Sequence, residues 1–291
     1  MASLKELRTR ITSVKSTRQI TSAMKMVSAA KLKRAQDAIV QMRPYANKMK
    51  EILQNVSATL DSSEGIYSQE REVKNVLLVA ITSNRGLCGG FNSNVIKRTN
   101  LAIREEFANA NVSVLPIGKK AFDAFKNTEY MHKNEHLPQE YNSIFDNLDY
   151  EHTAPIAEAV MERFVAGDYD KVMFIYNQFK NAATQIVQLE QFLPLVPEQS
   201  ENNTAQTEYI FQPSKDYIVE DLIPKSLKVQ LYKALLDSNA SEHGARMTAM
   251  HQATDNATEL INSLTLSYNK ARQAAITNEI LEIVAGAEAL N

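Results

Sequence analysis

The chain has 291 residues, 32 Lys+Arg against 34 Asp+Glu, a formal net charge of -2 and 44% hydrophobic residues. This is the composition of an ordinary soluble protein, and it excludes collagen-like, disulfide-stapled and wholly disordered classes. The single cysteine, Cys88, permits neither an internal disulfide nor a multi-cysteine zinc site, and five scattered histidines offer no helical metal pair, so no metal and no cofactor is expected.

The totals conceal an asymmetry along the chain. Residues 1–60 hold 12 Lys+Arg and 3 Asp+Glu, residues 61–223 hold 14 and 24, and residues 224–291 hold 6 and 7. Residues 1–12 alternate charge with single apolar residues and lack the continuous apolar stretch of a secretory signal, and no apolar run reaches spanning length, so an intracellular chain is expected. In the first segment Leu4, Leu7, Ile11 and Val14 open an apolar stripe with helical spacing. Ala38, Met42, Tyr45, Met49, Ile52 and Val56 continue it after an expected phase shift near Arg18. Only Pro44 interrupts the segment, so one helix of about 90 Å is expected, longer than the diameter of a small domain. Its basic residues, among them Lys25, Lys31, Lys33, Arg34 and Lys50, suit nucleic acid, anionic lipid or an acidic protein surface. Single-stranded nucleic acid wants interleaved aromatics, and Tyr45 stands alone, so an acidic protein partner is favoured over nucleic acid.

Between the ends, strands alternate with helices. Val76–Thr82 is a continuous run rich in branched residues, followed by a Gly-rich turn and a helix-like stretch over Asn94–Ala108. Val112–Ile117 gives a second strand, Lys119–Lys126 and Ala154–Ala166 give helices, and Lys171–Tyr176 gives a third strand. Parallel crossover units of a doubly wound, Rossmann-like α/β domain over residues 70–213 are the natural solution. Ile186–Leu195 and Thr207–Phe211 are expected as edge strands, separated by the polar loop Glu198–Ala205.

The turn Ser83-Asn84-Arg85-Gly86-Leu87-Cys88-Gly89-Gly90-Phe91 is the first place to look for chemistry. A phosphate-cradling loop wants Lys-Ser/Thr after its last glycine, whereas Phe91-Asn92 stands here and no G-x-G-x-x-G occurs, so a structural turn or a protein-contact loop is the better reading. Cys88 has no base supplied by sequence and is expected to be packed rather than reactive. His132 and His136 are four apart without the zinc-protease glutamate and are expected on a solvated loop; Glu105-Glu106 and Asp168/Asp170 read as a solvated helix face and a turn. Nothing here requires a catalytic residue.

No proline follows Pro224, and Met247, Met250, Thr254, Ala257, Ile261, Leu264, Tyr268, Ala271 and Ala275 recur at alternating spacings of three and four, the pattern of a heptad seam. Terminal helices over residues 1–60 and 214–291 are expected to pair as a coiled coil. The last turns, from Ile280 through Leu281, Ile283, Val284 and Leu290, are apolar nearly all round, so that tip must be sheathed by other chains.

Three blocks resemble the gamma subunit of the F-type ATP synthases, the central rotor shaft. They are Ile20-Thr21-Ser22-Ala23-Met24-Lys25-Met26-Val27, Arg85-Gly86-Leu87-Cys88-Gly89-Gly90-Phe91-Asn92, and the end from Glu242 to Ala287. The last includes Ala245-Arg246-Met247-Thr248-Ala249-Met250, Tyr268-Asn269-Lys270-Ala271-Arg272-Gln273 and Ile276-Thr277-Asn278-Glu279. Asn84 stands where the family usually has Asp.

The resemblance implies an α/β fold with a long antiparallel coiled coil of the terminal helices. One copy would sit in a ring of three α and three β subunits, its foot against the epsilon subunit and the membrane c-ring, on the cytoplasmic side of a bacterial inner membrane. It implies a non-catalytic subunit that binds no nucleotide, nucleic acid or cofactor. Carried over, Arg246, Arg272, Gln273 and Thr277 face the β loops that grip the shaft, Met24 and Lys25 lie near the acidic lever of β, and Glu279 and Ile283 also contact the ring. Arg85, Gly86, Cys88 and Gly89 lie near the lower β surface. Taken without the resemblance, Arg246 and Arg272 read as ordinary ion-pair partners on a helix, and the remaining function classes are a basic adaptor and a nucleotide-dependent enzyme.

Overall fold

The computed structural model describes residues 3–59, 66–69, 71–195 and 221–288. The expected strand Thr207–Phe211 and the loop Glu198–Ala205 lie outside the described residues. The chain divides into two compact units, one of residues 1–29 with 246–291 and one of residues 30–245.

Helix α1 runs Leu4–Thr59 and helix α5 runs Ile223–Glu288. Pro44 lies inside α1 without ending it. The carbonyl it leaves unpaired is that of Val40, on the exposed side of the helix, where water can bond it. The inward positions of α1 are Leu4, Leu7, Ile11, Val14, Arg18, Thr21, Lys25 and Ser28, then Leu32, Ala35, Ile39, Met42, Ala46 and Met49. That is an unbroken three-four alternation, so the expected phase shift near Arg18 is absent. What changes there is chemistry: polar side chains occupy four successive inward positions, which hides the stripe from a reading by apolarity. Tyr45, expected inward, is 48% exposed, and Ala46 takes the place beside the core.

In the larger unit four strands, β1 (Asn75–Ile81), β2 (Asn111–Ile117), β3 (Lys171–Phe179) and β4 (Gln185–Leu193), form one sheet in the order β2-β1-β3-β4. The first three are parallel, with Val79 opposite Leu115 and Phe174, and β4 is antiparallel, with Phe174 opposite Glu190. A short turn at 180–184 joins β3 to β4, too short for a crossover, so the fourth strand closes a hairpin.

Period-two alternation sends Leu77, Val79 and Ile81 to one face and Val76, Leu78 and Ala80 to the other. The first face packs against Ile156, Val160, Met161 and Phe164 of α4 (Tyr150–Val165) and against Ile223, Leu227, Leu231 and Leu235 of α5. Phe174 and Phe192 stack within it, ring centroids 4.4 Å apart. The second face packs against Val95 of α2 (Phe91–Leu101) and Ala121 and Phe125 of α3 (Lys119–Phe125). Where a helix was expected to run on to Ala108, α2 stops at Leu101 and a wide π turn, Ala102–Glu106, closes with Phe107 N–H on Ala102 O. The start of α4, earlier than expected, is set by Asp149, whose carboxylate accepts the backbone N–H of His152 at 2.8 Å.

Other expectations divide. Asp170 does serve a turn, accepting the N–H groups of Lys74 and Asn75 at the start of β1. Glu106 is paired with Arg98 rather than merely solvated. His132, expected on a solvated loop, is buried, with Nε2 3.1 Å from Pro138 O, and burial pulls its pKa below the usual imidazole value. The chain's local fold around Pro138, not its polarity, puts it inside.

Candidate functional site

The Gly-rich loop connects β1 to α2. Ser83 N–H donates to Asn92 Oδ1 at 2.9 Å, Ser83 Oγ donates to Arg85 O at 2.6 Å, and Asn92 Nδ2 donates to Ser83 Oγ at 2.9 Å. Asn92 therefore closes the loop on itself from the first turn of α2. Leu87 and Gly89 both take positive φ, 61° and 58°, which turns Cys88 inward between them while Leu87 stays 64% exposed. Cys88 is 2% exposed, receives Asn92 Nδ2 at 3.2 Å, and packs with Phe91 on Ala245 of α5. The expectation of a packed cysteine is met.

Asn84 uses both halves of its amide. Its Oδ1 accepts Lys119 N–H at 3.0 Å and its Nδ2 donates to Asn142 O at 2.7 Å. An aspartate could make only the first bond and would set a negative charge against the second carbonyl. In this chain the position is therefore a neutral bridge between the loop, α3 and residue 142.

Two of the predicted contact residues in the smaller unit, Met24 and Lys25, are half-buried on α1. They lie one turn after Thr21, whose Oγ1 is 2.8 Å from Thr254 Oγ1 of α5. Arg246 is 8% exposed. Arg272, Gln273, Thr277, Glu279 and Ile283 are exposed, as is every residue of α5 from 272 to 286. Thr277 Oγ1 donates to Gln273 O at 2.9 Å, an i-4 bond within the helix. Arg85 and Gly89 are exposed at the loop, and Gly86 is half-buried. The structure thus separates the predicted residues into two groups, one beside the loop and one along the terminal helices, and assembles no catalytic constellation from them. Among the described residues no group of three His, Cys, Asp or Glu side chains could hold a metal ion, and no helix is long and apolar enough to cross a membrane.

The exposed end of α5 is apolar: Ile276, Ile280, Leu281, Ile283 and Val284 are each between 48% and 67% exposed. Exposed apolar surface of this kind is adhesive in water. Replacing Ile280 and Ile283 by Gln is expected to leave the melting transition of the isolated chain within about 0.5 kcal/mol of the wild type, since neither side chain is buried. Self-association should fall; sedimentation velocity at rising concentration reads it, and unchanged association would show that the tip is not the adhesive surface.

One further cluster was not legible in the sequence. Arg43 of α1 meets Asp237 of α5 at 2.6 Å and the carbonyl of Phe179, at the end of β3, also at 2.6 Å. Asp237 is fully buried, and burial pushes its carboxyl up against the opposing pull of Arg43. Only an aspartate within an otherwise apolar stretch, Ala234-Leu235-Leu236-Asp237, hinted at it.

A family model described as ATP synthase matches residues 3–290. The ATP synthase gamma chain of Flavobacterium johnsoniae is 65% identical over 100% of both chains, and that of Geobacter metallireducens is 50% identical over 100% of this chain and 99% of its own. Among solved structures, the Tetrahymena thermophila mitochondrial ATP synthase central stalk and c-ring holds a similar chain at 26% identity and TM-score 0.57, over 80% of this chain and 99% of that one. A chain of the Euglena gracilis mitochondrial ATP synthase, solved with OSCP, F1 and the c-ring, is similar in fold at TM-score 0.69 and 22% identity, over 99% of this chain and 94% of that one.

Proposed function

The chain belongs to the ATP synthase gamma-chain family, and from that premise we propose how it works as the central-stalk rotor. It is a non-catalytic subunit; the nucleotide chemistry belongs to its partners. One copy stands in a ring of three α and three β subunits. Its α/β domain, residues 70–213, meets the epsilon subunit and the membrane c-ring on the cytoplasmic side of a bacterial inner membrane. Ion flow turns the c-ring and the shaft, and each rotor angle stabilises one β conformation over the others, which is coupling by population shift. Met24, Lys25, Arg246, Arg272, Gln273, Thr277, Glu279 and Ile283 contact the α/β ring, and Arg85, Gly86, Cys88 and Gly89 present the loop to the lower β surface. The observation that carries this reading is the exposed apolar end of α5, an interface with nothing of its own chain against it among the described residues.

We read the terminal helices, expected over residues 1–60 and 214–291, as an antiparallel coiled coil along the part of α1 and α5 that forms the smaller unit. The pattern of the smaller unit supports it. Starting from the Thr21–Thr254 hydrogen bond, one heptad toward the N-terminus of α1 reaches Val14, and one heptad toward the C-terminus of α5 reaches Ile261, both inward. The next step reaches Leu7 and Tyr268, and the step in the other direction reaches Ser28 and Met247, again all inward. Both stripes keep heptad spacing on either side of that hydrogen bond, as a paired seam requires; the direction and register of the pairing are what cross-linking tests. In a Cys88→Ser background, Val14→Cys with Ile261→Cys should form a disulfide on mild oxidation. Val14→Cys with Tyr268→Cys should not, because one heptad displaces the partner by about 10 Å. The opposite result would mean that the register is displaced by one heptad.

Co-expression with matching α and β subunits tests the function. Native mass spectrometry is expected to find three α, three β and one copy of this chain, with ATP turnover that falls when Arg246 and Gln273 are replaced by Ala. Failure to assemble, or assembly with no effect on turnover, would overturn the reading.

A further inference from the structure

Asp237 is fully buried, and its Oδ1 accepts from Arg43 Nη2 at 2.6 Å and from Phe179 N–H at 3.3 Å. Arg43 Nη2 also donates to Phe179 O at 2.6 Å, so one guanidinium and one carboxylate grip both polar groups of the last residue of β3. One turn further along α5, Ser241 Oγ donates to Asn177 O at 2.9 Å, and buried Asn177 in turn donates to Phe91 O at 3.1 Å. Next, Gly244 brings α5 so close to the turn after β3 that a Cβ there would lie 3.2 Å from both Cα and O of Ala182. Both terminal helices are thus fastened to one end of one central strand.

Stability alone does not explain this arrangement. The second carboxylate oxygen, Asp237 Oδ2, is buried without a partner among the described residues. A buried ion pair with an orphan oxygen is no better for stability than apolar side chains of the same size, whereas it fixes distance and direction among three elements as apolar contacts do not. The apolar core already holds α5 to the sheet through Leu227, Leu231 and Leu235, and among the described residues no α1 side chain belongs to that cluster. Arg43 supplies α1 with a polar attachment to Phe179 and Asp237 together.

We propose that Arg43, Asp237 and the backbone of Phe179 form the joint that passes torque between the sheet and both terminal helices, with Arg43 and Asp237 as positioning residues rather than catalytic ones. This rests on the rotor reading above. Load entering the α/β domain divides between α1 and α5 at this joint, and without it α1 is driven only through its softer contacts.

The test uses the assembled complex of three α, three β and this chain, fixed by its β subunits, with a gold rod attached at exposed positions of the α/β domain. The readout is the angular variance of the rod during the catalytic dwell. Arg43→Met with Asp237→Leu removes both charges together and so spares folding. Its variance is expected to rise about twofold, since the mean-square fluctuation grows as one of two parallel attachments is released. Asp237→Asn, which keeps shape and drops charge, is expected to fall between. Asp123→Asn, which breaks an exposed pair with Lys126, serves as the control at wild-type variance. Melting temperature is measured on each variant, because a merely structural role would lower it and leave the variance of assembled molecules unchanged. Wild-type variance in the double variant would overturn the joint. A wild-type rod that never rotates under ATP would overturn the rotor reading instead.

Discussion

Replacing Gly118 by Ala is expected to remove the cooperative unfolding transition of the α/β unit. Gly118 has φ +100°, and a Cβ built there would stand 2.2 Å from the carbonyl oxygen and 2.8 Å from the carbonyl carbon of Thr82. Both are backbone atoms held in place. Thr82 N–H donates to Ile117 O at 2.8 Å, and Thr82 Oγ1 accepts Ala121 N–H at 2.8 Å. Relief must therefore separate the ends of β1 and β2 or detach the start of α3. Left-handed strain alone costs about 1–3 kcal/mol, and the forced displacement adds to it, against a typical domain stability of about 5–15 kcal/mol. Gly167 is the internal comparison. It also has positive φ, +86°, but its nearest neighbour to an added Cβ is the end of the Arg71 side chain at 3.7 Å. Gly167→Ala should pay strain only, about 1 kcal/mol. Urea titration followed by circular dichroism compares the two; equal midpoints would show that the approach at Gly118 is relieved locally.

The second large effect is expected at Arg43. Arg43→Met leaves Asp237, fully buried, with the Phe179 N–H and no cation. Orphaning a buried charge costs about 3–5 kcal/mol. The guanidinium side chain is 33% exposed, so solvent already screens the pair and about 2–3 kcal/mol is the better figure. Adding Asp237→Leu to Arg43→Met should recover most of that loss, because the stranded charge is gone. A double-mutant cycle by urea denaturation measures the coupling. Additive losses would mean that the two side chains stabilise the unit independently, and would weaken the joint proposed for them.

These two sites differ in how far the sequence announced them. Gly118 follows a strand and precedes a helix, a place where a glycine is unremarked until the approach of Thr82 is seen. Arg43 sat among the basic residues of the first segment and read as part of a charged surface. Its partner lies 194 positions away. No local pattern links such a pair, since periodicity reports which face of an element is inward and not what that face meets.

The loop around Cys88 was legible for a different reason. Its glycines and Asn92 are local, and the hydrogen bonds among Ser83, Arg85 and Asn92 span no more than nine positions. What escaped was the contact of Cys88 and Phe91 with Ala245 of α5. Similarly, the family resemblance named residues of α5 from Arg272 to Ile283, and the apolar composition pointed to the end of α5 that the structure leaves exposed, but neither supplied the burial of Arg246.

By itself the sequence determined the two terminal helices, the three parallel strands with the first halves of their connections, the packed cysteine and the apolar end of α5. Each is written in spacing or composition over a few turns, where local sterics and the inward face decide the outcome. The tertiary structure alone decided the strand order β2-β1-β3-β4, the antiparallel turn-back of β4, and the unbroken inward stripe of α1 through Arg18, Thr21, Lys25 and Ser28. It also decided that α5 from Ile223 to Ala245 is enclosed on nearly every side. Those features depend on which distant surfaces meet. A polar side chain can lie inward, and a helix can lose its polar face, only because another part of the chain supplies the hydrogen bonds and apolar contacts that water would otherwise provide.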